Sequence, residues 1–476
     1  MGLEEVEHMF IGMFGDSDIM AQLFGTSGVR GTTNSEMTPR LVMELAQSFG
    51  TVLGSGCRVA AGRDTRFGAQ MLQAAAAAGL NSAGLDVEDC GVVPMAALAS
   101  YVVSEHLKGG VLITGSHMPP DRIGLILMNS EGAYEPHSVT DEVERIHHQK
   151  GWTVAVHNTV GVQLSASKPL ERYIGRVSRM VNRRSISLNK YRVLVDAGNG
   201  TSGAVLPRIL RDLCCEVQCI NCDPKPVPDR ESEPRASTLG ATAAAARELG
   251  AQLTAATDID ADRVAFLDER AQGISEDVTG CIFARQVLAK RKGPVVVPIN
   301  SSTLIEKVCR EAGVELHYCR VGQPATMEAI RKHGAVFSYE ESGKYYFVKD
   351  QFWCDGILST MKFLEVMASR RKKPSELAAE FPGMAQSKHK LPCPDKDKPA
   401  VYPTVRKLLE SHPFSDAARL IDMDGLKTIY KDGSWLLIRL SGTEPLVRVF
   451  AEAGKEEAAN ELADYGLGLV KSVIGK

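Results

Sequence analysis

Short apolar runs alternate along this chain with longer stretches whose apolar residues recur at helical spacing. Arg58-Val59-Ala60-Ala61-Gly62, Gly110 to Thr114, Tyr191 to Asp196 and Pro294 to Pro298 are such runs, each giving way to small or polar residues and then to a helix-like stretch. They are strand-length, so the pattern predicts strands alternating with helices and hence parallel sheets in an α/β fold. Thr38 to Gly50 predicts a helix with a threonine cap and a proline in its first turn, and alanine-rich Ala69 to Ala78 predicts another. In open α/β sheets the loops at the carboxyl ends of strands carry the chemistry. The pattern weakens at 150–170, near 268–273 and at 371–397, where Arg370-Arg371-Lys372-Lys373-Pro374 and Lys388 to Pro399 read as solvated connection. Four segments result, in keeping with a 476-residue chain too long for one core.

Composition narrows the partners. Hydrophobic residues make up 44% and charged residues 24%, the balance of a globular protein, and a net charge of −3 gives no general positive field for nucleic acid. A small anionic substrate would instead need local basic clusters. No apolar run reaches membrane-span length, and Glu4, Glu5 and Glu7 stand where a signal peptide would be basic, so no membrane is expected and the setting is expected to be cytoplasmic. Residues 1–20 lack a period, and the working protein is expected to start near Met20, with an extension before it. Of the eleven cysteines, Cys219 and Cys222 have zinc-like spacing but no second pair, and the alternation of Glu216 to Asn221 favours a strand with cysteine as filler.

Four loops carry candidate chemistry. Val111-Leu112-Ile113-Thr114-Gly115-Ser116-His117-Met118-Pro119-Pro120 delivers a serine and a histidine from a strand into a turn that two prolines close, either a nucleophile's support or an ordinary Ser/Pro turn. Asp258-Ile259-Asp260-Ala261-Asp262-Arg263 spaces three carboxylates at every second position of an extended loop, which offers hard oxygens to Mg²⁺, with Arg263 beside them to hold a phosphate; an acidic turn is the alternative. Ile438-Arg439-Leu440-Ser441-Gly442-Thr443-Glu444-Pro445 combines an arginine, two hydroxyls and glycine as a phosphate cradle or a structural hairpin. Glu340-Glu341-Ser342-Gly343-Lys344 suits sugar hydroxyls. Glycine-set turns at Phe24 to Gly31, which includes Arg30, and at Gly62-Arg63-Asp64-Thr65-Arg66 add arginines, with an internal ion pair as the alternative for the latter.

Together these loops resemble the α-D-phosphohexomutase family, which includes phosphoglucomutase, phosphomannomutase and phosphoglucosamine mutase. The resemblance runs from Leu23 to about Ala453, one motif per quarter, and rests most on Thr114-Gly115-Ser116-His117 with its prolines and on Arg439 to Pro445. It implies a heart-shaped α/β molecule of three related domains, 21–165, 166–270 and 271–385, and a smaller α+β domain, 386–476. Ser116 would carry a phosphoryl group and pass it to the 6- or 1-hydroxyl of a hexose phosphate, making a hexose 1,6-bisphosphate that turns over in the cleft. Mg²⁺ would sit on Asp258, Asp260, Asp262 and the Ser116 phosphoryl oxygen. Arg30 and Arg263 would flank the transferring group, Glu340, Ser342 and the neighbouring Lys344 would face the sugar, and Arg439, Ser441, Gly442 and Thr443 would hold the other phosphate.

Three positions depart from the family pattern. Ile126 stands where a lysine helps move the hydroxyl proton, which leaves His117 as the nearest candidate ahead of Arg30. Ile259 replaces a glycine and Lys344 a histidine. Two other readings are a non-catalytic sugar-phosphate-binding regulator, suggested by Ile126, and a phosphatase-like enzyme that gives the phosphoryl group to water. The choice among glucose, mannose and glucosamine phosphates, and the oligomeric state, stay open at this level.

Overall fold

The computed structural model describes residues 23–474 apart from 26, 412 and 443, so the expected extension at 1–20 and the cradle hydroxyl of Thr443 lie outside the described residues. Four sheets follow one another along the chain. In the first, Gly109–Thr114, Arg58–Arg63, Asp86–Val92 and Gln163–Ser165 are parallel neighbours. Arg122–Asn129 and Gly28–Thr32 extend it on the other side, each antiparallel to its neighbour. The sheet is therefore mixed, not parallel throughout as the alternation predicts. The segment from Gly115 to Asp121 is too short for a crossover helix, so the chain can only return antiparallel. The same occurs at Leu253–Thr257 with Val264–Leu267 in the second sheet, and at Phe337–Glu340 with Lys344–Tyr346 in the third. Each antiparallel return places one of the candidate loops at its turn.

Local signals explain the helices that frame these loops. Thr38 accepts from the Leu41 N–H and caps the helix Pro39–Leu53, while the alanine-rich stretch becomes Ala69–Ser82. The last sheet is wholly antiparallel, in the order Ala385–Pro392, Leu446–Ala453, Trp435–Leu440, Leu426–Tyr430, Ala417–Asp422. Its first strand corrects the reading of the Lys/Pro-rich stretch as connection. Ser387 and Cys393 are buried while Lys388 and Lys390 line a cleft, so a period of two hides under the lysines. The second sheet likewise takes in Gly273–Ile274, beyond the expected boundary at 270.

One apolar core runs from a face of the first sheet through the second and third, whereas the last sheet has a core of its own. Among the described residues a small apolar cluster, Ile299 with Ile429, Trp435 and Leu437, bridges the third and fourth sheets. Among the described residues no helix is long and apolar enough to cross a membrane. The cysteines are all free, and Glu216–Ile220 is the expected strand, with Cys219 exposed on it.

Candidate active site

The strand Gly109–Thr114 is buried along its whole length and brings Ser116 to the meeting point of the first two sheets. Ser116 adopts a left-handed backbone, φ 45°, unusual for a side-chain-bearing residue and therefore imposed by its surroundings. The constraint is Arg66. Its buried guanidinium donates to the carbonyls of Ser116 (2.7 Å), Met118 (2.5 Å) and Arg122 (2.7 Å) and also to that of Pro119. Asp64 completes the frame, accepting from the Thr114 hydroxyl at 2.9 Å and the Gly115 N–H at 2.8 Å. A Cβ on Gly115 would strike the Arg66 guanidinium, so glycine is required there. Arg66 and Asp64 do form the internal pair allowed by the sequence, Nε to Oδ2 3.7 Å, and that pair shapes the serine loop.

Ser116 is not the exposed strand-end hydroxyl its sequence setting suggests. It is 3% exposed, and its Oγ donates to Asp258 Oδ2 at 2.8 Å. Asp258, Asp260 and Asp262 follow the buried strand Leu253–Thr257 and are themselves 0–1% exposed. They converge because the chain bends, with Ala261 left-handed at φ 60°, not because an extended loop alternates; one oxygen from each lies within 4.8 Å of the others. Burial, then repulsion from Asp260 and Asp262, pushes Asp258 well above the usual carboxylate range; Asp260 rises to about 6 for the same reasons. Burial would raise Asp262 too, but Lys344 and Arg263 hold it below the ordinary value.

The oxygens of the triad are unequally used. Asp258 Oδ2 takes the Ser116 hydroxyl and Oδ1 the Arg263 N–H at 3.2 Å; Asp260 Oδ2 takes the Thr114 hydroxyl at 3.0 Å; Asp262 Oδ2 takes the Lys344 ammonium at 2.7 Å. Asp260 Oδ1 and Asp262 Oδ1 are buried with no hydrogen-bond partner. Two orphaned anionic oxygens beside a hydroxyl are a donor set that a hard divalent cation satisfies.

Cations surround this cluster. Arg263 reaches Asp258 and Asp262 at 3.8–3.9 Å while its Nη1 is held by Glu233 at 2.8 Å, and Arg30 stands beside the same carboxylates. The His117 ring nitrogen lies 3.5 Å from Ser116 Oγ, but burial and the charges of Arg263, Arg30, Lys344 and Arg235 hold it far below its usual range. Burial and these cations favour the neutral imidazole. Ile126 pairs with Leu112 on the floor of the sheet, 1% exposed, so no charge arrives from that position.

A cavity of about 540 Å³ opens over these groups, lined by Arg30, His117, Arg263, Glu340, Ser342 and Lys344 among others. Glu340 accepts from the Tyr346 hydroxyl at 2.5 Å, and Ser342 is half-buried at the turn. Lys344 lines the cavity with its ammonium turned to Asp262 and to Gln323 Oε1 at 2.8 Å; burial opposes its charge, and Asp262 more than restores it. Arg439, Ser441 and Gly442 line a second cavity, of about 710 Å³, with Arg320 and Tyr402. Arg439 Nε is fixed by Asp424 at 3.0 Å, which leaves the rest of its fork free. Arg448 and Val321 line both cavities, so the two adjoin. A cavity of about 860 Å³ beside Tyr191 and Arg371 is larger but holds none of these groups, and convergent polar chemistry decides against it. Gln323, Arg448 and Lys388 were not expected from sequence, nor was the hold of Arg66 on the serine loop; the alternation of Leu446 to Phe450 could have signalled Arg448, whereas Gln323 has no local signal.

All four phosphoglucomutase/phosphomannomutase domains match the chain: alpha/beta/alpha domain I over residues 21–153, domain II over 171–273, domain III over 275–384 and the C-terminal domain over 389–465. The chain belongs to the phosphoglucomutase/phosphomannomutase family. This phosphohexomutase is 33% identical over 461 residues to a phosphoglucomutase/phosphomannomutase of Thermococcus kodakarensis, covering 96% of the chain and 100% of the relative. It is 35% identical over 464 residues to a protein of Methanopyrus kandleri described as a probable phosphoglucosamine mutase, covering 96% and 99%. A solved phosphoglucomutase/phosphomannomutase family protein from Burkholderia thailandensis superposes with a TM-score of 0.82 at 23% identity, covering 94% of this chain and 97% of that one, and shares the fold.

Proposed function

We propose that this phosphohexomutase interconverts hexose 1-phosphate and hexose 6-phosphate through a phosphoryl group carried on Ser116 and a hexose 1,6-bisphosphate intermediate. The observation that carries this reading is the buried Ser116 hydroxyl, which donates to Asp258 of the triad, while its neighbour His117 lines a cleft together with Arg30 and Arg263. Phosphoryl transfer needs positioning and charge compensation more than covalent help from the protein. Arg66 and Asp64 supply the positioning by fixing the loop. Arg30 and Arg263 supply fixed positive charge around the transferring oxygens.

In the forward step a sugar hydroxyl oxygen bonds to phosphorus as the bond from phosphorus to Ser116 Oγ breaks, and the electron pair stays on Oγ. The His117 ring, 3.5 Å from Ser116 Oγ, would take the hydroxyl proton and return a proton to Oγ. Its weak basicity suits a loose transition state in which the proton leaves late. Asp258, Asp260, Asp262 and Ser116 would hold Mg²⁺, which supplies charge neutralisation at the phosphoryl group. Glu340 and Ser342, with Lys344 behind them, face the ring hydroxyls, and Arg439, Ser441, Gly442 and Thr443 hold the phosphate that does not move. The free cysteines fit a reducing, cytoplasmic setting.

Glucose, mannose and glucosamine phosphates differ at carbon 2. Assaying all three 1-phosphates side by side with the matching bisphosphate tests both the reaction and the substrate. Appearance of a 6-phosphate from at least one supports the reading; release of inorganic phosphate without isomerised product would replace it with hydrolysis.

A further inference from the structure

Lys344 is placed by its backbone as much as by its charge. It opens the strand Lys344–Tyr346 across from Glu340, after a turn at Gly343 whose φ is 83° and whose carbonyl accepts from the Val264 N–H at 3.0 Å. A Cβ on Gly343 would strike the Val264 carbonyl, so the turn is seated directly on the chain two residues beyond Asp262. From there the side chain runs inward, 5% exposed, between Asp262 and Gln323. Gln323 is itself 1% exposed at the start of the helix Gln323–His333, so the ammonium is caged and cannot relax into solvent.

This cage changes the charge balance of the triad. Lys344 lies on Asp262 at 2.7 Å, and Arg263 lies 3.8–3.9 Å from Asp258 and Asp262. Part of the negative charge that a divalent cation would meet on the orphaned oxygens of Asp260 and Asp262 is therefore already compensated. Asp262 offers that cation one oxygen while its other oxygen stays on the ammonium, so a single carboxylate separates the two charges. Two effects compete. The ammonium orients Asp262, which favours binding, and it repels the cation, which opposes it; at this range in a partly dry site the repulsion is the larger.

We propose that Lys344 is a built-in counter-cation of the triad. It lowers the affinity for a divalent cation while Ser116 is bare and makes tight binding conditional on the negative charge that a phosphoryl group brings. The coupling is reciprocal: bound metal favours the phosphorylated serine. The proposal rests on the reading of the triad as the metal site and adds a role for a residue that touches no metal.

The test uses Mn²⁺ as the probe, followed as the loss of the free-ion electron paramagnetic resonance signal on titration into full-length protein. Lys344→Met and Lys344→Gln, both dephosphorylated, should bind Mn²⁺ at least 10-fold more tightly than dephosphorylated wild type. Wild type phosphorylated with a hexose 1,6-bisphosphate should show a comparable gain. Equal or weaker binding in both variants, with native circular dichroism, overturns the proposal and leaves the triad as the site. If neither variant folds, the wild-type comparison decides, and equal affinities in the two phosphorylation states overturn it. Asp260→Asn separates the underlying reading, because Mn²⁺ binding that ignores this change puts the metal elsewhere.

Discussion

At the scale of single residues, burial disfavours ionisation at groups outside the chemistry as well as within it. Glu135, buried one residue beyond Tyr134, is pushed from an ordinary value of 4.5 up to about 7, by desolvation against a weak opposing pull from Arg331. The folded protein therefore holds this proton more strongly than the unfolded chain. Stability attached to Glu135 is present below pH 4.5 and is lost as pH rises through 7. Glu135→Gln should accordingly raise the unfolding free energy at pH 8.5, by on the order of 1–3 kcal/mol, and leave it unchanged at pH 4. Urea unfolding at the two pH values checks this, and an equal effect at both would show that ionisation is not the cause. For Asp260→Asn, loss of the stabilisation by Mg²⁺ is expected together with a rise in metal-free stability, because one of three mutually repelling buried carboxylates is neutralised. Thermal melts with and without Mg²⁺ read both effects.

The serine loop shows what an element requires beyond its motif. Thr114, Ser116 and the following prolines are legible in sequence, and so is the strand that carries them, because an all-apolar run announces a buried strand. The clamp is not legible: Arg66 lies on another strand's loop, and four carbonyls converging on one guanidinium are a tertiary fact. Arg66→Met should leave the buried Asp64 without its counter-charge and the loop carbonyls without their donor, and cost about 3–5 kcal/mol, measured by urea unfolding, and lower turnover further than that loss accounts for at temperatures where the variant is folded. The three carboxylates were legible as a group, but the bend at Ala261 that gathers them was not, since nothing local forces alanine into a left-handed conformation. Lys388 and Lys390 show the converse: lysines facing a cleft disguised a strand as a linker.

Across the whole molecule, the serine, metal and sugar loops stand on one continuous core, whereas the phosphate cradle stands on a separate one joined through Ile299, Ile429, Trp435 and Leu437. Buried polar contacts reinforce the joint: Lys427 Nζ donates to the Ser301 carbonyl at 2.7 Å, and the Ser302 hydroxyl donates to Glu452 at 2.7 Å. On the proposed assignment, the division sets the hold on the unmoved phosphate apart from the transfer chemistry. Arg439→Gln should therefore raise KM for the hexose 1-phosphate by roughly 10- to 100-fold, the worth of one bidentate charge-assisted contact, with a smaller fall in kcat and no change in phosphorylation of Ser116. Steady-state kinetics with phosphate-ester analysis of the protein would check this, and a fall confined to kcat would place Arg439 in the transfer step instead.

The central claim is that Ser116 carries the phosphoryl group between the two sugar positions. Its direct test is peptide mass spectrometry after exposure to a labelled hexose 1,6-bisphosphate, followed by a chase with unlabelled hexose 1-phosphate. One labelled phosphoryl group should appear on Ser116, leave with the sugar during the chase, and be absent from a folded Ser116→Ala protein that no longer turns over. A protein that isomerises the sugar with Ser116 never phosphorylated, or that turns over normally as Ser116→Ala, would contradict the account.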